Sequence, residues 1–240
     1  MTVNISLEKL MDTGAHYGHQ TRRWNPKMEE YLYTSENGVH IFDLVKTKEA
    51  LEEALDFLEK ASKEGKKIVF VGTKKQAKET AMVCAKEAGC FYVNERWLGG
   101  TLTNFEQIKR SLKKLDDLRE DKKTGALNKF TKKERLLIDR EIERLGRFFG
   151  GLQGLDKAPE VLIIVDVKKE KGACLEAKGK EIQVIGIVDS NSDPDLVDFP
   201  IPMNDDATHA LEYVLELMKE AIIKGASSVK EDKVEGKKVG

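Results

Sequence analysis

Short apolar runs alternate along the chain with longer segments whose apolar residues recur every third or fourth position. Val39–Phe42, Ile68–Val71, Phe91–Val93, Val161–Val165 and Gln183–Val188 read as strands, since they are short and rich in β-branched and aromatic side chains. Thr47–Lys63 reads as a helix: Ala50, Leu51, Ala54, Leu55, Leu58 and Ala61 share one face, and Gly65 stops it. Lys74–Ala88, Lys169–Gly179 and Ala207–Lys224 read as further helices. The alternation predicts an α/β fold. Its core is an open, mostly parallel sheet of about five strands with helices on both faces, of the Rossmann or flavodoxin type. Uninterrupted apolar strands such as Ile68-Val69-Phe70-Val71 fit burial from both sides.

Residues 105–149 break the alternation, with no strand signal. Phe105, Ile108, Leu112 and Leu115 form one apolar seam, and Ile138, Ile142, Leu145 and Phe149 a second. Between them lies a Gly125 turn, followed by Thr131-Lys132-Lys133-Glu134 at capping-box spacing. This predicts an antiparallel, coiled-coil helical hairpin inserted into the α/β domain, which would comprise residues 1–104 and 150–224. Gly146, Gly150, Gly151 and Gly154 would loosen the return to the sheet, and the polar stretch 225–240 reads as a disordered charged tail.

Charge is more informative here than size. Of the 240 residues 35% are charged, yet 41 cations meet 42 acids. That balance argues against a surface that is basic throughout and leaves room for local faces. From Glu106 to Gly150 there are 14 Lys or Arg against 9 acids; from Asp189 to Glu220 there are 9 acids against Lys219 alone. Cys84, Cys90 and Cys174 have no zinc-ligand spacing and read as reduced thiols. With no apolar run of membrane length and no signal-type leader, the expectation is a cytoplasmic protein without a membrane partner.

The segment from Gly14 to Met28, GAHYGHQTRRWNPKM, is basic and ring-bearing and contains no acid. Guanidinium forks pair with phosphate and flat rings stack on bases, so it suggests RNA contact through Arg22, Arg23 and Lys27. Val71-Gly72-Thr73-Lys74-Lys75-Gln76 lacks both the dinucleotide glycine pattern and the full P-loop, which weakens the case for a nucleotide enzyme. It keeps a helix start beside Lys74 and Lys75 as a phosphate site. Arg96-Trp97-Leu98-Gly99-Gly100 reads either as a close-approach loop, with Arg96 supplying charge and Trp97 a stacking plane to RNA, or as a packing loop in which Trp97 anchors the root of the hairpin. Asp189-Ser190-Asn191-Ser192-Asp193-Pro194 begins like a calcium loop, but Pro194 stands where glycine is needed. Asp189, Asp205 and Asp206 could hold Mg²⁺, or Zn²⁺ if His19 or His16 joins them. An alternative is an enzyme binding a nucleotide or sugar phosphate at this acidic strand-end crevice; another is a protein scaffold docking through the hairpin.

Five blocks of sequence carry a resemblance. GAHYGHQTRRWNPKM, Asn37–Thr47 (NGVHIFDLVKT), Glu95–Phe105 (ERWLGGTLTNF), Pro159–Asp166 (PEVLIIVD) and Val188–Pro194 (VDSNSDP) resemble, in order, the bacterial small-subunit ribosomal protein family numbered two. The resemblance covers residues 4 to 223. It implies a non-catalytic, ribosome-associated protein that binds small-subunit rRNA and contacts other small-subunit proteins. It also implies support for docking of the acidic, RNA-binding ribosomal protein one, and so for translation. It carries RNA contact onto the N-terminal segment and the hairpin as regions, the latter with Lys109, Arg110, Lys113 and Lys132 as candidates. It also favours Trp97 packing and Arg96 facing RNA or the domain interface.

Overall fold

The computed structural model describes residues 5–235, with side chains to residue 228. In chain order the elements are α1 (Leu7–Asp12), β1 (Tyr17–Gln20), β2 (Leu32–Glu36), β3 (Val39–Phe42), α2 (Leu44–Lys63), β4 (Ile68–Val71), α3 (Lys78–Glu87) and β5 (Phe91–Val93). They continue with α4 (Phe105–Thr124), α5 (Lys132–Phe149), β6 (Val161–Val165), α6 (Lys171–Lys178), β7 (Gln183–Val188), β8 (Phe199–Pro202) and α7 (Thr208–Glu235). Strands β5-β4-β6-β7-β8, in that order, form one parallel sheet. The order turns back between β4 and β6, the place where open α/β sheets leave a crevice at their carboxyl ends.

Strand burial explains the apolar runs. Ile68 and Phe70 point into a core shared with α2, α3 and α7, whereas Val69 and Val71 point into a second core with Trp97, α4, α5 and α6. The period of two is present but masked, because both faces are covered. Phe70, Ile163 and Leu211 are fully buried, so each contributes on the order of 2–3 kcal/mol of burial free energy.

The sheet has the expected number of strands but not the expected members. Val39–Phe42 pairs with β1 and β2 in a separate three-stranded antiparallel sheet, order β1-β3-β2. The fifth parallel strand is β8, Phe-Pro-Ile-Pro, which periodicity does not mark as a strand because Pro200 and Pro202 cannot donate to a ladder. Its edge position accommodates them. Helix α3 starts at Lys78 rather than Lys74, after a turn in which Ala77 and Lys78 donate to the Lys74 carbonyl.

Helices α4 and α5 lie side by side. Gly125 (φ +77°) ends α4 in the left-handed region, and both halves of the Thr131–Glu134 capping box are present. Lys114–Glu141 (2.7 Å) and Lys122–Asp139 (2.6 Å) bridge the pair, while Ile108, Leu112, Leu115, Leu145 and Phe149 join the second core. Of the glycines on the return path, Gly151 binds rather than loosens. A Cβ at Gly151 would lie 2.1 Å from the Tyr92 carbonyl oxygen, so residue 151 seals the β5 edge. Residues 225–235, expected as the first part of a disordered tail, are helical. Helix α7 continues past Lys224 to Glu235, because Gly225 lets it approach α2 so closely that a Cβ there would sit 2.3 Å from the Glu59 carbonyl oxygen. Residues 236–240, the rest of the expected tail, lie outside the described residues.

Candidate functional site

The basic N-terminal segment is pinned to the carboxyl end of the parallel sheet. Asn204 donates to the carbonyls of Gly14 (side chain, 3.0 Å) and Ala15 (backbone, 3.0 Å). The His19 N–H donates to Ser190 Oγ (2.8 Å), and the Asn25 N–H donates to the Ser190 carbonyl (2.7 Å). A Cβ at Gly18 would fall 2.9 Å from Ser190 Oγ, so this strand must carry glycine where it crosses the Asp189-Ser190 loop. Two sequence blocks about 170 residues apart are thus one structural unit.

This tethering sorts the candidate cations. Arg22 and Arg23 point outward; the Arg22 Nε touches only Gln20 Oε1 (3.0 Å). Lys27 is instead held by Asp193 (3.0 Å) and Asp195 (2.6 Å). Lys75 and Arg96 are exposed, as are Lys109, Arg110, Lys113 and Lys132. None of these six has an ion-pair partner among the described residues. Lys74 departs furthest from the expectation. Its ammonium lies inside the fold's acidic cluster, 2.5 Å from Asp205, 2.7 Å from Asp206 and 3.4 Å from Asp166. Burial opposes its charge, but the hydrogen bonds to Asp205 and Asp206 outweigh that and raise its pKa.

Asp189 is completely buried and is the centre of that cluster. One carboxylate oxygen accepts from the Ser190 N–H and hydroxyl and faces His19 Nδ1 at 2.9 Å; the other accepts from the Asp205 N–H at 3.2 Å. The hydrogen bond to Asp189 raises the His19 pKa despite partial burial. Burial, reinforced by the charges of Asp189 and Asp166, pushes Asp205 up to about 7, with Lys74 opposing. His19 Nε2 is 3.7 Å from Asp206, and ligand atoms of His19, Asp205 and Asp206 lie within 4.8 Å of one another. The sequence therefore named four members of the cluster as metal candidates, but it missed Asp166 and misplaced Lys74. Asp166 ends an apolar strand in the same way as Asp189, which is the signal that could have found it.

The alternative, enzymatic site was the acidic strand-end crevice of Asp189, Asp205 and Asp206; another crevice opens between β4 and β6. This second crevice has a volume of about 450 Å³ and is lined by Thr73, Arg96, Lys169 and Glu170 among others. Three of these groups, Thr73, Lys169 and Glu170, are tied together. Thr73 Oγ1 donates to the buried Glu170 carboxylate, and Lys169 Nζ donates to the Thr73 carbonyl (3.0 Å). Beside it, Glu176 collects the Trp97 indole N–H (3.2 Å) and the backbone N–H groups of Gly100 (2.8 Å), Leu102 (3.0 Å) and Thr103 (3.2 Å). The Arg96–Asn104 loop is wound around this carboxylate, a role that nothing in the spacing of Glu176 announced. Trp97 is 9% exposed and packs in the second core, leaving Arg96 alone at the surface.

Among the described residues no helix is long and apolar enough to cross a membrane. The family profile described as ribosomal protein S2 matches residues 10–225. Small ribosomal subunit protein uS2 of Roseiflexus sp. (strain RS-1) is 48% identical over 221 residues, covering 92% of this chain and 84% of its own. Small ribosomal subunit protein uS2c of Cyanophora paradoxa is 44% identical over 222 residues, covering 92% and 95%. The five blocks, the tethered N-terminal segment and these relatives agree: the chain belongs to the ribosomal protein S2 family, a structural, non-enzymatic family of the small ribosomal subunit.

Proposed function

We propose that the chain binds small-subunit rRNA through cations displayed by the fold, and so supports assembly of the subunit and translation. One observation carries this reading. The N-terminal segment is fixed by Ser190 and Asn204 while Arg22 and Arg23 stay outward, so the guanidinium groups are held ready without internal carboxylate partners. Pre-ordered forks bind phosphate at a smaller entropic cost than mobile ones. Lys75 and Arg96 extend the surface. Lys27 and Lys74 act indirectly by tying the segment and the cluster to the core. The resemblance adds neighbouring small-subunit proteins as partners, with docking of the acidic ribosomal protein one among them. Sedimentation of cell lysate at moderate and high salt tests the proposal. Co-migration with the small subunit that disappears at high salt supports it; migration as free protein at both salts contradicts it.

We further infer that the acidic cluster takes one divalent cation, zinc ahead of magnesium. The supporting observation is the posture of His19: Nδ1 is oriented by Asp189, which leaves Nε2 facing Asp206. A carboxylate behind an imidazole is the usual second contact of a metal-binding histidine, and imidazole suits zinc better than magnesium. Asp205 and Asp206 supply oxygen, and Lys74 is the resident cation that a metal would displace. Stoichiometric zinc in the purified protein, absent from His19→Gln and Asp205→Asn, is the expected result. Metal-free protein with unchanged thermal stability on zinc addition would refute it.

A further inference from the structure

The two helices of the α4–α5 pair carry similar numbers of cations, but the structure uses them differently. On α4, Lys114 and Lys122 are paired across to α5, and Arg119 and Asp116 are held by Gln153. The α4 charges left without an ion-pair partner among the described residues are Lys109, Arg110, Lys113 and Lys123 against Glu106, Asp117, Glu120 and Asp121. They cancel. On α5 the acids are consumed. Glu134 closes the capping box, Asp139 pairs with Lys122, and Glu141 accepts from both Lys114 and Arg144. Only Glu143 remains against Lys132, Lys133, Arg135, Arg140 and Arg147.

These cations are also arranged. Lys133, Arg140 and Arg147 are spaced by seven residues, nearly two whole turns, so they fall on one face and all are exposed. At about 1.5 Å rise per residue they mark a row about 21 Å long. Its length, single sign and preference for arginine suit a phosphodiester backbone, because guanidinium groups meet phosphate in paired hydrogen bonds. Leu145 and Phe149, buried on the opposite side of the same helix, fix which face looks outward.

We propose that the outer face of α5, through Lys133, Arg140 and Arg147, is an RNA-backbone contact of this protein, and that the charge-balanced face of α4 is not. The proposal rests on the RNA-binding reading above and deepens it. It shifts the contact away from Lys109, Arg110 and Lys113, three of the four hairpin cations the sequence singled out; the fourth, Lys132, starts α5.

The test uses the full chain, small subunits stripped of it, and the naked small-subunit rRNA. Association constants are measured over a salt series for wild type, for K133Q/R140Q/R147Q, for K109Q/R110Q/K113Q and for R22Q/R23Q. Circular dichroism and melting confirm that each variant folds. Removing one cation–phosphate pair lowers the slope of log K against log salt by about 0.7 to 0.9. The α5 variant is expected to lose about two units of slope on naked rRNA, and the α4 variant less than about half a unit. An α5 variant with wild-type slope, while R22Q/R23Q lowers it, overturns this proposal and leaves the RNA reading standing. Weaker binding to subunits with unchanged binding to naked rRNA also overturns it and assigns the row to an acidic protein. Absence of salt-dependent association in the wild type sinks the RNA reading itself.

Discussion

Ser190 shows how a single side chain joins distant parts of this molecule. Its hydroxyl accepts from the His19 N–H and donates to Asp189, and its carbonyl accepts from Asn25. Ser190→Ala leaves the His19 N–H without its partner and should cost about 1–3 kcal/mol, read as a lower urea midpoint with unchanged m-value. Glu176 is the counterpart on the other side of the sheet. Burial alone would raise its pKa, but the N–H groups of Leu102, Gly100 and Thr103 and the Trp97 indole hold it below its ordinary 4.5. A carboxyl depressed in the folded state adds stability that is complete above its unfolded pKa and is lost as pH falls through the folded value. Glu176→Gln should therefore flatten the stability profile below pH about 4.5 and leave Trp97 more exposed to a fluorescence quencher. A mutant profile that overlays the wild type would remove Glu176 from this role. Neither residue's task was legible in sequence. Both depend on partners many positions away, and their neighbours give no periodic or motif signal.

At the scale of elements, long periodic segments were readable and edge features were not. The Gly125 stop and the Thr131–Glu134 box follow from local rules, and the structure contains both; of the seams, Ile108, Leu112, Leu115, Leu145 and Phe149 are buried. Thr131→Ala should cost about 1 kcal/mol and speed hydrogen exchange in the first turn of α5 alone. Exchange that is unchanged there would show that packing, not the cap, holds that end. Leu145→Ala, in the second core, should cost about 2–5 kcal/mol in a thermal or urea melt. Strand β8 was not legible because proline is normally evidence against a strand, and only the edge position reverses that inference. Strand β3 was legible as a strand, but its sheet was not. Its apolar run does not say which partner it pairs with; the tether at Asp189-Ser190 decides that by holding β1 beside it.

The whole molecule separates its charges by location. Acids gather where the parallel strands end, and Lys74, His19 and the N-terminal segment close over them. Unpaired cations stay outside, on Arg22, Arg23 and the flank of the α4–α5 pair. A nearly neutral chain can thereby present a basic face without repelling itself elsewhere. Composition showed the balance and motif order showed the family, but the separation depends on which cations find carboxylates, which only the folded arrangement determines. The most direct test is binding of wild type and R22Q/R23Q to small subunits lacking this protein, followed across a salt series. Weaker binding of the variant at moderate salt and a slope shallower by about one to two units are expected. Equal affinity and equal slope for the two proteins would contradict RNA contact through Arg22 and Arg23.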